Sequence, residues 1–216
     1  MKIFPESSFF KERRAIALPT PAEIRAINKA SGNICASYFN RPSPVTIPSL
    51  GLFVKYGADV SLTEAQTQMM VREKLQGRVP VPEVFGWAED ADQRFIYMSL
   101  VEGETLQVRW IGMDENERQA VCEELKHMAK AWRDLKQDGG DCYIGTCSMG
   151  EQPLNDVFVT HRPQLKGPFQ NPNAVRQFQD ACGIEITDMA PITFTHADLA
   201  APNILLSPGK NPKWQR

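Results

Sequence analysis

The chain has no apolar run approaching the ~18 residues that a membrane span requires, and its first ten residues, Met1 to Phe10, carry charges at Lys2 and Glu6 among short apolar pieces. A spanning helix and a signal peptide are therefore not expected. There is no Cys-x-x-Cys pair. The five cysteines, Cys35, Cys122, Cys142, Cys147 and Cys182, are scattered and odd in number, which points away from a disulfide framework or zinc site and toward free thiols in a reducing, cytoplasmic compartment. An excess of either charge is also missing. With 24 basic and 26 acidic residues and a net charge of -2, the chain has no basic field of the kind that nucleic acid or an anionic membrane surface would need. No repeat of fixed period and no low-complexity segment is present, and no partner protein is indicated. What is there is 216 residues, 42% of them apolar, enough to bury a substantial core in one domain or two small lobes.

The residue order suggests two lobes. Thr20-Pro21 ahead of Ala22-Glu23-Ile24-Arg25-Ala26-Ile27 predicts a helix with Thr20 as N-cap and Pro21 at its first position. The turn-forming run Asn40-Arg41-Pro42-Ser43-Pro44 leads into Val45-Thr46-Ile47, and Leu52 to Tyr56 is a short β-prone run between two glycines. From Val60 to Leu75 the pattern is helical, with Ser61-Leu62-Thr63-Glu64 matching a capping box and Leu62, Ala65, Met69, Val71 and Leu75 as the apolar stripe. Val79-Pro80-Val81-Pro82 ends it. Two β-like runs follow, Glu83 to Trp87 and Arg94 to Leu100, around the acidic turn Glu89-Asp90-Ala91-Asp92. Residues 1–101 thus form a β-rich first lobe. In the second, 102–216, an amphipathic helix spans Asp114 to Leu135 with Val121, Leu125, Met128, Ala131 and Trp132 on one face. A long loop over 136–173, with a short strand near Asp156 to Val159, leads to a helix over Ala174 to Cys182. Two strands, Ile192 to Thr195 and Ile204 to Leu206, bracket the segment between them.

That segment, His196-Ala197-Asp198-Leu199-Ala200-Ala201-Pro202-Asn203, carries the chemistry. An Asp and, five positions later, an Asn can orient a hydroxyl nucleophile and hold Mg²⁺ from one loop, as phosphoryl transfer demands. Asp198 is the candidate general base and Asn203 the candidate metal ligand, its amide oxygen being a hard donor. A turn Asp and an Asn capping Pro202 would look the same. Lys55, flanked by Phe53, Val54 and Tyr56, can project from a strand and neutralise nucleotide phosphates, or lie on the solvent face of an edge strand. Glu64 can fix that ammonium, serve the capping box, or do both. Ser99-Leu100-Val101 lies where an extended run leaves the first lobe, so the Ser99 carbonyl and the Val101 amide can take an adenine edge. A plain linker fits equally well. His196 reads as a structural hydrogen-bonding residue rather than a proton shuttle.

Taken in order, Leu52-Phe53-Val54-Lys55-Tyr56-Gly57, Glu64-Ala65, Val79-Pro80-Val81-Pro82-Glu83-Val84-Phe85-Gly86, Phe95-Ile96-Tyr97-Met98-Ser99-Leu100-Val101-Glu102-Gly103 and Phe194-Thr195-His196-Ala197-Asp198 resemble the aminoglycoside phosphotransferase and choline kinase-like family, especially its fungal members. The resemblance spans roughly residues 45 to 206 and rests on several motifs in consistent order rather than on one. It implies an α+β, bilobal protein-kinase-like fold with a β-rich N-lobe and an incomplete helical C-lobe. It also implies ATP with Mg²⁺, phosphorylation of a hydroxyl on a small molecule, and a hairpin over the phosphates in place of a Gly-x-Gly-x-x-Gly loop.

Members of that family continue past the second bracketing strand into Ile-Asp-Trp-Glu or similar, where the Asp binds metal, and then into further helices. Here Ser207 to Pro212 reads as the turn before that strand, and Lys213-Trp214-Gln215-Arg216 supplies no Asp. The resemblance therefore implies a C-terminally truncated chain, impaired in transfer, with apolar surface left exposed on its second lobe. A non-catalytic nucleotide-binding or interaction module is the alternative. The acceptor is left open, because in the family its specificity lies largely in the helical lobe.

Overall fold

The structure, a computed structural model, describes residues 1–137, 143–146, 153–154, 159, 161–170, 173–185 and 191–208. Contacts divide these into two units. The first comprises Met1–Gln76 and Pro80–Glu102, the second Gly77–Val79 with the described residues from Gly103 onward.

Side-chain alternation builds the first unit. Its strands are β1 (Lys2–Ile3), β2 (Val45–Ile47), β3 (Leu52–Gly57), β4 (Val84–Asp90) and β5 (Gln93–Ser99), paired antiparallel in the order β1-β4-β5-β3-β2. Successive residues point to opposite faces of such a sheet, and both faces are covered. Leu52, Val54 and Tyr56 of β3 join Phe95 and Tyr97 of β5 in one core with Phe9 and Ile24. Those last two come from helices α1 (Ser8–Lys11) and α2 (Pro21–Ala30). Phe53, Ile96 and Met98 face the other way, packing with Ala65 of helix α3 (Leu62–Lys74). A register shift between Val84 and Gly86 resets the phase of β4, so Trp87 returns to the α3 face and Ala88 to the α2 face. Each buried Leu, Ile or Phe in these two layers contributes about 1.5–3 kcal/mol, so the sheet is held from both sides.

Several sequence expectations hold in this unit. Thr20 caps α2 through a complete capping box with Glu23, and Pro21 opens the helix. The turn between β4 and β5 is tighter than expected. Both strands run into the acidic stretch, leaving a two-residue turn in which Ala91 and Asp92 have φ of 47° and 61°. Positive φ at both central residues gives the turn a twist that matches the right-handed twist of the flanking strands.

The second unit is organised on helix α5 (Glu115–Arg133), whose first turn is closed by a reciprocal capping box between Asp114 and Glu117. Val121, Met128, Ala131 and Trp132 form its buried face, as the spacing predicts. Strand β6 (Glu104–Thr105) and helix α4 (Leu106–Arg109) precede it. The short pair β7 (Tyr143–Ile144) with β8 (Phe169–Gln170) and the helix α6 (Ala174–Cys182) follow. The 136–173 segment is thus not a plain loop, while the strand expected near 156–159 lies largely outside the described residues. Ile192 to Thr195 is irregular rather than a strand. The strand after the loop is β9 (Leu205–Leu206), and its partner is β6. Among the described residues no helix is long and apolar enough to cross a membrane.

Candidate functional site

The candidate residues fall in both units. Lys55, Glu64, Ser99 and Val101 belong to the first; Asp198 and Asn203 belong to the second.

Lys55 lies on β3, opposite Ile96 of β5, with β2 on the other side. It is therefore not on an edge strand. Alternation turns its side chain to the α3 face, where its Nζ donates to both carboxylate oxygens of Glu64 at 2.7 Å. The expected capping box at α3 does not form. Ser61 Oγ accepts from the Thr63 amide, one residue early, and Glu64 turns to Lys55 instead. The pair is partly exposed, with side chains 45% and 36% accessible, and such a pair adds at most about 1 kcal/mol to stability. Both carboxylate oxygens accept from the one ammonium, so the position of its charge is fixed by the pair.

Ser99 closes β5. Its amide donates to the Glu83 carbonyl at 2.8 Å, and its Oγ accepts from the Glu83 amide at 2.9 Å. Leu100 is tied to the carbonyl of Gly51 at 2.9 Å. The amide of Val101, the next residue, has no hydrogen-bond partner among the described residues. The connector is thus anchored through Leu100, and a backbone donor without a protein partner among the described residues follows it.

In the second unit, the Asp198 amide donates to His196 Nδ1 at 3.3 Å. The residue between them, Ala197, is left-handed with φ 62°, a conformation costing a non-glycine residue roughly 1–2 kcal/mol. The imidazole lies beside Trp132 of α5, ring centroids 6.0 Å apart. His196 thus serves as a hydrogen-bond acceptor within its own loop. Asn203 Nδ2 donates to the Asp198 carbonyl at 3.1 Å and to Asp198 Oδ2 at 3.0 Å. That leaves two oxygens without a protein partner among the described residues, Asp198 Oδ1 and Asn203 Oδ1. Both residues are exposed.

Behind the loop, the Ile204 carbonyl accepts from the Leu106 amide at 2.8 Å, and Ile204 and Leu206 enter a core with Leu106, Met113 and Val121. Gly103 permits this packing. It has φ +139°, and a Cβ placed there would lie 2.1 Å from the Leu206 carbonyl oxygen, so only glycine allows β9 to approach so closely. Trp132 read from the sequence as an ordinary core residue, and nothing local marks Ala197 as left-handed. Gly103, a glycine just past the β-prone run that ends at Leu100, is the one visible signal.

The family model for the phosphotransferase enzyme family matches residues 52–213, well over half of the chain. The chain belongs to this phosphotransferase family. Its α+β fold, with a five-stranded antiparallel sheet in the first unit, is of the kinase-like kind. The match opens on β3 and includes the candidate residues of both units, whereas β1, α1, α2 and β2 precede it. No curated protein and no solved structure matches this phosphotransferase.

Whether the residues fit a metal is tested by their donors. Asn203 Oδ1 is a free, hard oxygen of the type Mg²⁺ prefers. Among the described residues there is no group of three or more His, Cys, Asp or Glu side chains able to hold a metal ion. The described residues therefore offer a partial ligand set. Residues 209–216, on which the expectation of a missing metal-binding Asp rests, lie outside the described residues.

Proposed function

We propose that this phosphotransferase moves the γ-phosphoryl group of ATP to a hydroxyl group on a small molecule. The observation that carries the reading is the two-oxygen grip of Glu64 on Lys55 Nζ, which fixes a positive charge suited to the α- and β-phosphates. In this reading the Ser99 carbonyl and the Val101 amide take the adenine edge. Asp198 Oδ1 accepts the proton of the acceptor hydroxyl as that oxygen attacks the γ-phosphorus, the bond to the β-phosphate oxygen breaks, and ADP leaves. Asn203 Oδ1 is the Mg²⁺ ligand, and the ion when bound neutralises charge on the transferring group.

The test is ADP release in the presence of Mg²⁺ across a panel of amino sugars, amino alcohols and simple sugars. Acceptor-dependent release that requires Mg²⁺ supports the proposal. ATP binding that is indifferent to Mg²⁺, with no acceptor-dependent release from any compound, would instead mark a non-catalytic nucleotide-binding module.

A further inference from the structure

On the α2 side of the first unit's sheet, opposite the face that carries Lys55, lies an open cavity of about 600 Å³. It lies outside the nucleotide machinery and mostly on chain that precedes the family match, between Arg25 and Pro42. Its size falls within the range of small-molecule sites.

The lining is unusual for a plain surface. Ile34, Tyr38 and Phe39 are 81%, 54% and 53% exposed, yet the backbone beneath them is pinned. The Phe39 carbonyl accepts from the Ala58 amide at 3.2 Å and from Gln93 Nε2 at 2.8 Å, and Asn33 Oδ1 caps the Cys35 amide at 2.8 Å. The floor is Tyr56, stacked on Phe95 at 4.8 Å, its hydroxyl held by Asn28 Nδ2 at 2.8 Å. Two cations line the cavity, and they differ. Arg25 is committed to Asp90 and to Gln93 Oε1 and lies over the Phe95 ring. The Lys29 ammonium has no hydrogen-bond or ion-pair partner among the described residues. Exposed rings on a fixed backbone, beside an uncommitted ammonium, call for an occupant with an apolar body and one negative charge.

We propose that this cavity binds a small amphipathic anion, an aromatic carboxylate in class, with its ring system against Tyr38, Phe39 and Ile34 and its carboxylate on Lys29.

The test is a titration of the full 216-residue chain with 1-naphthoate and with its neutral isostere 1-naphthamide, followed by amide chemical shifts. The expected result is saturable binding of the acid with shifts concentrated in residues 25–42, 56 and 91–93, and weaker binding of the amide. Lys29→Gln, on an exposed position that leaves the fold intact, is expected to weaken the acid about three- to fivefold, the size of a partly exposed ion pair, and to leave the amide unchanged. Equal affinity for acid and amide, insensitivity to Lys29→Gln, shifts centred elsewhere, or no saturable binding would each overturn the proposal. None of these outcomes depends on phosphoryl transfer.

Discussion

Lys55 and Asp198 are held in contrasting ways. Lys55 stands on a strand with neighbours on both sides, in a sheet packed on both faces, and its charge is fixed by a carboxylate from a 13-residue helix. Asp198 stands in a loop closed mainly upon itself. Its amide bonds to His196, its carbonyl accepts from the Ala200 amide and from Asn203 Nδ2, and the adjoining residue is left-handed. The first arrangement draws its precision from a large core, the second from a handful of local bonds over the Leu106–Leu206 core. A residue needed for a steady field gains from the rigid sheet. A residue needed to exchange a proton must remain accessible, and loops on a rigid scaffold supply that.

The contrast can be broken hardest at Gly103. Gly103→Ala drives a methyl into the Leu206 carbonyl and should cost about 2–4 kcal/mol. Thermal unfolding is expected to show the second unit melting early while the first holds its transition; a single unshifted transition would contradict the account of β9. His196→Ala removes the acceptor of the Asp198 amide and the ring beside Trp132. A loss of about 1–1.5 kcal/mol of positioning amounts to roughly a tenfold slower transfer, with ATP affinity unchanged in a titration.

Ala197→Gly tests the strain directly. Relief of about 1–2 kcal/mol of left-handed cost is offset by the extra freedom of glycine in the unfolded chain, about 0.4–1 kcal/mol. The net expectation lies between no change and a stabilisation of about 1.6 kcal/mol, read from urea midpoints; clear destabilisation would contradict the positive φ. The smallest effect belongs to the first unit. Hydrogen bonds from the Thr20 amide and then from its hydroxyl hold the Glu23 carboxyl below its ordinary value of 4.5. A lowered folded value means stability that is present above the ordinary value and lost as pH falls through the lowered one. Glu23→Gln should therefore be slightly less stable than the parent at neutral pH, and the two should converge in acid, when melted side by side.

Legibility from sequence follows the same division. Period-2 alternation and capping residues marked β3, β5, α2 and α5, and the lone Lys55 in an apolar strand stood out because a sheet face is written in alternate residues. Glu64 was ambiguous, since the capping box and the ion pair ask for the same residue at the same place; tertiary contact with β3 decided it. Ile192 to Thr195 misled because β-branched residues promise a strand wherever they fall, whereas β9 found its partner in β6, a hundred residues earlier in the chain. The ring of Trp132 beside His196 is a product of long-range packing, and the left-handed Ala197 belongs to bonds that close only once the loop is folded. No local pattern encodes them.

In the proposed reaction, charge held by Lys55 and proton acceptance at Asp198 serve one transfer. ATP affinity and γ-phosphoryl transfer to the best acceptor of the panel, measured for the parent chain, Asp198→Asn and Lys55→Met, test it most directly. Asp198→Asn should keep ATP affinity and slow transfer by about 10²–10⁴-fold, while Lys55→Met should lose ATP affinity as well as transfer. Transfer by Asp198→Asn at the parental rate, or parental ATP affinity in Lys55→Met, would contradict it.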